Sequence, residues 1–361
     1  MPRSMIKSTC REIIYGEGTI LPKGASPNMN AKRFLVCMAV CTASLMILTF
    51  AGYHVYTAML IDRMGRLEPD SHTPQEVPTE TMDPDYTGAV IDDPVVINDR
   101  AKNVEEITIL GDTSHVTNFL LLGIDAEGNQ GYVGRSDCIM ILSINNNRGS
   151  ESIRLISLLR DTCVPVSGYG PQKLNSAFSY GGYPLLLDTV KQQLRIKIER
   201  VIAVHFNAYR QAVNAIGGVD IELSADEARE IGIGRKADAY LLNGEKALEY
   251  ARIRNIGNDW GRAERQRLVV QAIAKKAKTM SLLTMNRVLF EVFPEIHTNL
   301  SAEEIKGYIG DASTLLNYPI IEGFFPEMGT FTDPFINGVG RALVMNNMVE
   351  TVCSLQRFLY E

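Results

Sequence analysis

Arginine side chains are concentrated in the stretch YARIRNIGNDWGRAERQR, residues 250–267, of a chain whose formal net charge is −6. Arg252 and Arg254 are separated by one residue, as on one side of an extended chain. Arg262, Arg265 and Gln266 follow at the spacing of a helix. The last three share one predicted helix face. A guanidinium offers paired donors that match phosphate oxygens, so arginines converging from separate loops indicate a multiply charged phosphate ligand such as a pyrophosphate.

Further charged residues lie at the ends of apolar stretches that we predict to be strands. These are Asp125 after the first strand, Arg135 and Asp137 opening the second, Arg160 and Asp161 after the third, and Lys173 and Asn175 in KLNSAFSYGG. Ligands of α/β folds bind in crevices at strand ends, where loop side chains converge on a rigid sheet. We therefore expect these groups and the arginines to form one site.

Two carboxylates beside a pyrophosphate would repel it unless a divalent cation lies between them. Magnesium is typically held by one or two carboxylates together with substrate phosphates. Asp125 and Asp137 are the candidate ligands for Mg²⁺, and Asp259 is a candidate base or partner of an arginine. For RAERQR alone, a solvated and ion-paired helix face is the commoner explanation; the coincidence of all these groups along one domain favours an anion site.

Other kinds of site have less support in the sequence. It contains no C-x-x-C pair, no H-E-x-x-H and no G-x-S-x-G, which disfavours a zinc site and a Ser-His-Asp hydrolase. The acidic balance argues against a general nucleic-acid binder. Cys138 and Cys163 flank the open end of one predicted hairpin, a position that permits a disulfide without establishing one.

Predicted strands and helices alternate from about residue 117. CIMILSI and SIRLISLL flank the turn-prone NNNRGSE and predict an antiparallel hairpin, and NFLLLGID, RVIAVHF and GGVDIEL predict further strands. The predicted helices are YPLLLDTVKQQL, NAYRQAVNAIG, LNGEKALEYARI with Asn243 as N-cap, and a long helix opened by Asp259. SAEE at 301–304 matches a capping box, and the last fifteen residues look amphipathic. The alternation predicts an α/β sandwich.

The N-terminal part of the chain predicts export. From Phe34 to Ile61 there is no Asp, Glu, Lys or Arg, a length that suffices for one transmembrane helix. The preceding segment is basic, so the positive-inside rule leaves the N-terminus in the cytoplasm. A cleaved signal peptide is the competing interpretation, although the apolar stretch exceeds the usual length.

The segment after the predicted membrane helix is acidic and rich in proline. Its composition cannot bury enough apolar surface to fold alone, which predicts a spacer between the membrane and the domain. A linker with no role beyond its length fits equally well.

Taken together, these motifs strongly resemble those of the LytR-CpsA-Psr family of bacterial cell-wall enzymes. The matching strings occur in the family's order over about residues 117–278: LLLGID, GRSDCIMILSIN, LLRDTCV, KLNSAFSYGG, AIGGVDIEL, LNGEKALEYARIR and D..R..RQR. The basic N-terminus, single membrane helix and exported domain also resemble the family's layout.

The resemblance implies an α/β/α sandwich with a central mixed sheet, preceded by one transmembrane helix, with an apolar interior that accommodates a polyprenyl chain. The implied organisation is a cytoplasmic basic tail (1–33), a transmembrane anchor (34–61), an extracellular linker (62–116), a catalytic domain (117–280) and a C-terminal extension packing on it (281–361). The protein would lie in the membrane of a Gram-positive or related bacterium with its catalytic domain outside.

The resemblance also implies a phosphotransferase. Such enzymes move a glycopolymer, of the teichoic acid or capsular polysaccharide type, from undecaprenyl pyrophosphate to a peptidoglycan hydroxyl and form a phosphodiester. Carried over to this sequence, the magnesium ligands are Asp125 and Asp137, and the pyrophosphate shell is Arg135, Arg160, Lys173, Arg252, Arg254, Arg262 and Gln266. The residues expected in catalysis are Asp137, Arg160, Asp259 and Arg262, with Asp161 as a supporting acid.

The sequence departs from the family pattern at a few positions. Glu127 stands where members often have arginine, Leu159 precedes Arg160 in place of a small residue or proline, and Cys138 replaces a threonine. These departures spare the principal acids and arginines, so they bear on head-group contact and donor preference and not on the reaction class. Two other functions remain open: a lipid pyrophosphate hydrolase that uses water as acceptor, and a non-catalytic polyprenyl-phosphate-binding regulator of envelope genes.

Overall fold

The computed structural model describes residues 53–67, 74–84, 86–102, 104–108, 113–124 and 136–361. The chain divides into two compact units, Met1–Val55 and Tyr56–Glu361, and the fold described below is that of the second. The predicted tail 1–33 and most of the predicted membrane anchor 34–61 lie outside the described residues. None of the helices within the described ranges combines the length and the apolar character needed to cross a membrane.

The secondary-structure elements follow one another along the chain. The strands are β1 (Gly65–Arg66), β2 (Val90–Ile91), β3 (Val116–Ile124), β4 (Ser136–Asn145), β5 (Ser152–Leu158), β6 (Cys163–Val166), β7 (Gly170–Lys173), β8 (Arg200–His205), β9 (Val219–Leu223), β10 (Asp238–Leu242), β11 (Ile296–Thr298), β12 (Ile320–Phe325), β13 (Phe331–Thr332), β14 (Phe335–Ile336), β15 (Gly340–Arg341) and β16 (Val344–Met345). The helices are α1 (56–62 in this unit), α2 (Val95–Lys102), α3 (Leu174–Leu194), α4 (Phe206–Ala215), α5 (Ala225–Glu230), α6 (Gly244–Arg252), α7 (Asn258–Lys278), α8 (Leu282–Val292), α9 (Ala302–Leu315) and α10 (Met348–Tyr360).

The largest sheet is mixed and has seven strands in the order β1-β11-β8-β3-β4-β5-β12. Strand β4 is antiparallel to both β3 and β5, which confirms the predicted hairpin. Strand β8 runs parallel to β3, and β12 runs parallel to β5. The carboxyl ends of β3, β5, β8 and β12 therefore lie at the same edge of the sheet as the start of β4.

Helices pack on both faces of this sheet. On one face, Leu120, Ile141 and Ile156 share a buried cluster with Phe178 of α3 and Leu355 of α10. On the other face, Phe119 of β3 and Ile144 of β4 belong to another buried cluster, which also contains Ile305 of α9. The alternation of side chains along a strand produces this division. The predicted α/β fold with a central mixed sheet is confirmed.

A second cluster supports the arginine-rich segment. The apolar faces of α4, α6, α7 and α8 enclose strand β9, and the centre of the cluster contains the buried residues Val213, Ile221, Tyr250 and Val269. Strand β10 pairs with β9 in an antiparallel ladder. These contacts fix the end of α6 and the start of α7, and with them the segment that carries Arg252 to Arg267.

Two helix N-termini begin at the capping residues that were predicted from the sequence. Asn243 accepts a hydrogen bond from the Lys246 N–H at 2.9 Å and caps α6 as predicted. Ser301 and Glu304 form the predicted capping box of α9. The prediction that Asp259 opens α7 is wrong: the helix begins at Asn258, and its N-cap is Gly257 with a φ of 74°. Glycine adopts this left-handed conformation without steric cost.

Ordered structure begins before residue 117, in contrast to the expectation from composition. Leu67, Ala101, Val104 and Ile107 are buried in the main cluster of the domain. Strand β2 pairs in parallel with β14. The segment has too few apolar residues to form a core of its own, but those it has are buried against the domain that follows.

Candidate functional site

A cavity of about 490 Å³ opens beyond the carboxyl end of β5. Its walls combine five parts of the chain that are separated in sequence. The lining residues are Val77, Pro78, Thr79 and Glu80; Arg160 and Asp161; Gln172, Lys173, Asn175, Ser176 and Tyr180; and Arg254, Gly338 and Val339. Arg160, Lys173 and Arg254, all predicted to bind a pyrophosphate, are thus brought to one place.

Backbone hydrogen bonds fix the segment that follows β5. The Leu159 N–H donates to the Phe325 carbonyl at 2.8 Å, and the Asn175 N–H donates to the Arg160 carbonyl at 3.1 Å. The hairpin β6–β7 pairs Cys163 with Lys173. Because of this register, Lys173 lies beside residues 160 and 161 although it is twelve positions further along the chain.

Asp161 lies between two of the cations. Its carboxylate is 3.4 Å from Arg160 Nε and 3.8 Å from Lys173 Nζ. All three side chains are largely covered, with exposed fractions of 21, 19 and 13% for Arg160, Asp161 and Lys173. Asp161 therefore orients two of the cations, and the three cations of the wall outnumber its two carboxylates, Asp161 and Glu80.

A much smaller cavity, of about 20 Å³, adjoins Arg160 on the side of α7. Arg262 and Gln266 both line it, together with Cys138 and Leu159. The spacing of four residues thus places them on one helix face, as predicted. Arg262 is buried, with 3% of its surface exposed. Arg160 lines both cavities and connects the two groups of cations.

Arg252 and Arg254 flank Ile253, which is buried. The alternation turns both arginines outward, and both are exposed. Arg254 lines the larger cavity, whereas Arg252 lies at the end of α6 outside the walls of either cavity. The sequence predicted the same role for these two residues, and the structure brings only Arg254 to the cavity.

Two arginines of the same segment stabilise the fold. Arg265 donates to the carbonyls of Ile253 and Ile256 at 2.7 and 2.8 Å and contacts Glu227 at 3.3 Å. Arg267 donates to Ser157 Oγ at 2.8 Å and to Glu322 at 3.0 Å. Position 265 is therefore not part of the ligand-facing surface, although sequence spacing placed it there.

Of the two predicted metal ligands, only the backbone of Asp137 lies within the described residues. Asp125 and Arg135, and the side chains of Asp137 and Asp259, lie outside the described residues. In the β3–β4 ladder Gly123 pairs with Cys138 and Ile124 with Ser136, so the backbone of Asp137 is the extra residue of a β-bulge. Bulges re-aim side chains and are frequent next to active sites. The register thus puts Asp137 at the same sheet edge as the cavity.

The magnesium ion itself stays a prediction. Within the described part of the chain, no group of three or more His, Cys, Asp or Glu side chains is arranged to hold a metal ion. The described carboxylate of Asp161 already contacts two cations, so its surroundings do not favour a metal ion. The fit of a magnesium ion therefore depends on Asp125 and Asp137.

The two cysteines of the predicted hairpin are separate in the structure. Cys138 and Cys163 are free thiols, so the bridge that the spacing permitted is not formed. Burial raises the pKa of the Cys163 thiol to about 12, an effect that Lys173 only partly opposes. A thiol with this pKa is protonated near neutral pH and is a poor nucleophile.

Several wall residues had not been identified from the sequence. Thr79 and Glu80 come from the expected spacer, and Gly338 and Val339 come from a C-terminal stretch without regular periodicity. No local pattern marks them, because their position depends on packing between distant segments. Tyr180 was within a recognised motif, KLNSAFSYGG, but it carried no charge that would have singled it out.

The LytR_cpsA_psr family model matches residues 88–318. The polyisoprenyl-teichoic acid–peptidoglycan teichoic acid transferase TagU of Enterococcus faecalis is 35% identical over 196 residues, 52% of this chain and 62% of that protein. The chain thus matches about three fifths of the length of this curated relative. The structure of TagT bound to LI-WTA is similar with a TM-score of 0.55 at 27% identity, covering 71% of this chain and 94% of TagT. The structure of YwtF (TagT) with bound octaprenyl pyrophosphate lipid is similar with a TM-score of 0.51 at 26% identity, covering 71% of this chain and 95% of YwtF. With its family match over residues 88–318 and this shared fold, the chain belongs to the LytR-CpsA-Psr family.

Proposed function

We propose that this protein transfers a glycopolymer of the teichoic acid or capsular polysaccharide type from undecaprenyl pyrophosphate to a peptidoglycan hydroxyl. The observation that carries the proposal is the convergence of Arg160, Lys173 and Arg254 on one cavity, with Arg262 at the adjoining one. Relatives named as teichoic acid transferases and a similar structure with bound octaprenyl pyrophosphate support it.

The reaction is a phosphoryl transfer. The acceptor hydroxyl oxygen attacks the phosphorus next to the glycan, a new P–O bond forms, and the bond to undecaprenyl phosphate breaks. The hydroxyl proton passes to a base, for which Asp137 and Asp259 are the candidates. Positioning and neutralisation of the developing charge supply most of the catalysis in such reactions. Arg160 and Arg262 are placed to stabilise the charge on the transferred and leaving phosphates.

The proposal includes Mg²⁺, held by Asp125 and Asp137. When bound, such an ion neutralises charge on the pyrophosphate oxygens. The β-bulge at Asp137 supports this assignment because it sets that residue apart from the regular ladder.

We further propose that the protein is anchored in the bacterial cytoplasmic membrane by residues 34–61, with the N-terminus in the cytoplasm and the catalytic domain outside. The apolar, uncharged sequence of this span and the basic residues before it support the proposal. Both substrates, the lipid-linked glycan and peptidoglycan, would then lie on the same side as the cavity.

The test is a transfer assay with purified full-length protein, a lipid pyrophosphate-linked glycan and peptidoglycan oligomers. We expect Arg160→Ala and Arg262→Ala each to lower turnover about a hundredfold, as removal of one donor to developing charge does in other enzymes. Arg148→Ala is the matched control, because Arg148 is exposed in the turn at the opposite end of β4 and β5. Its turnover should stay within about twofold of wild type.

The products decide between this function and the two others. Glycan attached to peptidoglycan through phosphate supports transfer, whereas release of free phosphorylated glycan with water as acceptor would indicate a hydrolase. Binding of the lipid without any product would indicate a regulator. Unchanged transfer in both arginine variants would reject the proposed site.

A further inference from the structure

A segment of the expected spacer lies across the cavity. We call residues 74–84 the strap. Its backbone is joined to α3 by the Gln75 N–H, which donates to the Ser179 carbonyl at 2.9 Å. Residues 77–80 then line the cavity together with Arg160 and Lys173. The strap thus borders the pyrophosphate site although it precedes the catalytic domain by more than thirty residues.

The Glu80 carboxylate occupies an anion position in this wall. Its Oε1 atom is 2.6 Å from Lys173 Nζ, and its Oε2 atom accepts a hydrogen bond from the Arg341 N–H at 3.1 Å. Lys173 is largely covered, with 13% of its side chain exposed, whereas 53% of the Glu80 side chain is exposed. A carboxylate that reaches from solvent therefore contacts a cation that belongs to the cavity.

The C-terminal stretch is shaped to receive Glu80. Gly340 has a φ of 93°, and a Cβ atom built on it would lie 2.7 Å from the Glu80 Cβ. A side chain at position 340 would therefore be strained and would collide with the strap. The neighbouring Arg341 side chain is held by Asp333 at 2.6 Å, which steadies the backbone N–H that binds Glu80.

We propose that Glu80 is a built-in competitor of the anionic head group, so that the strap must leave Lys173 before a lipid pyrophosphate can bind there. This inference rests on the proposed function, because it assigns Lys173 to pyrophosphate binding. The Lys173 ammonium already has the Asp161 carboxylate at 3.8 Å as well as Glu80 at 2.6 Å, so a head group bound there would be a third anion and would be repelled while Glu80 stays in place. The apparent affinity for the head group is then the intrinsic affinity multiplied by the fraction of molecules in which Glu80 is displaced.

The partial exposure of the Glu80–Lys173 ion pair sets how much Glu80 can lower the affinity for the head group. Partly exposed ion pairs contribute roughly 0.2–1 kcal/mol, which corresponds to a change of up to about fivefold in an equilibrium constant. The contact is therefore weak enough for a multiply charged pyrophosphate to displace.

The experiment compares full-length wild type, Glu80→Gln and Glu76→Gln by calorimetric titration with geranyl pyrophosphate. Glu76 lies in the same strap, is exposed, and is outside the cavity wall, so its substitution removes the same charge without removing the contact. We expect Glu80→Gln to lower the Kd about two- to fivefold and Glu76→Gln to leave it unchanged. A second measurement, the rate at which an acetylating reagent modifies Lys173, should rise in Glu80→Gln alone.

The outcomes separate the two proposals. Equal affinities of wild type and Glu80→Gln, with measurable binding in both, would overturn the competition and leave the proposed function standing. Weaker binding by Glu80→Gln would also overturn it, since Glu80 would then support the site. If none of the three proteins binds geranyl pyrophosphate, the proposed function fails and the competition fails with it, whatever the acetylation rates.

Discussion

An arginine in residues 250–267 contributes to the fold or to the cavity according to the partners of its guanidinium. Arg265 is buried and donates to two carbonyls of the loop between α6 and α7. Arg254, eleven residues earlier, is exposed on the cavity wall. Burial of a charge is tolerated only when hydrogen bonds compensate for lost hydration. The two residues should therefore respond differently to the same substitution.

We expect Arg265→Ala to lower the free energy of unfolding by about 3 kcal/mol, because the carbonyls of Ile253 and Ile256 and the Oε1 atom of Glu227 lose the hydrogen bonds that Arg265 donates. Arg254 is exposed, so Arg254→Ala should change the free energy of unfolding by no more than about 0.5 kcal/mol. The same substitution should weaken the binding of geranyl pyrophosphate. Urea unfolding and calorimetric titration provide the two measurements. Equal stability of the two variants would contradict the division of roles.

At the level of elements, local sequence signals predicted much of the fold. Alternating and helical apolar patterns identified β3, β4, β5 and α7, and the positions at strand ends identified Arg160 and Lys173. The remaining features depend on contacts between distant segments. Glu80 reaches the cavity through contacts with Lys173 and the Arg341 N–H, which are 93 and 261 positions away along the chain. A single sequence contains no pattern that reports such a contact.

The capping box of α9 gives a pH-dependent prediction. The backbone N–H of Ser301 lowers the pKa of Glu304, and Arg200 at 2.8 Å adds to the effect. A carboxyl whose pKa is lower in the folded than in the unfolded state stabilises the fold above its unfolded pKa of about 4.3 and loses this contribution as the pH falls further. Glu304→Gln should therefore unfold more easily than wild type at pH 7, by about 1 kcal/mol.

The difference in free energy of unfolding between wild type and Glu304→Gln should shrink as the pH falls below about 4.3 and then through the lowered pKa of Glu304 in the folded protein. Urea unfolding at several pH values between about 7 and 3 measures this difference. Lys306→Gln, a change in the second turn of the same helix outside the capping box, serves as the control and should show no such trend. A difference that is independent of pH would mean that the Glu304 charge does not stabilise α9.

On the scale of the molecule, the fold extends beyond the family match. The match ends at residue 318, yet β12 adds to the main sheet alongside β5, and α10 buries Val352, Leu355 and Leu359 in the main cluster. The Arg154 Nη1 atom donates to the Leu359 carbonyl at 2.9 Å and ties the helix end to β5. The same C-terminal stretch supplies Gly338 and Val339 to the cavity. The last forty residues therefore contribute to both the core and the site.

We expect a chain that ends at residue 318 to lose cooperative unfolding, because it exposes the hydrogen-bonding edge of β5 and the apolar surface under α10. Within the full chain, Leu359→Ala should cost about 3 kcal/mol, since Leu359 is fully buried and the change leaves a cavity. Ile321→Ala, on the 42% exposed face of β12, should cost less than about 1 kcal/mol. Urea unfolding followed by near-ultraviolet circular dichroism measures all three. Cooperative unfolding of the shortened chain with wild-type stability would show that residues 319–361 are dispensable for the core.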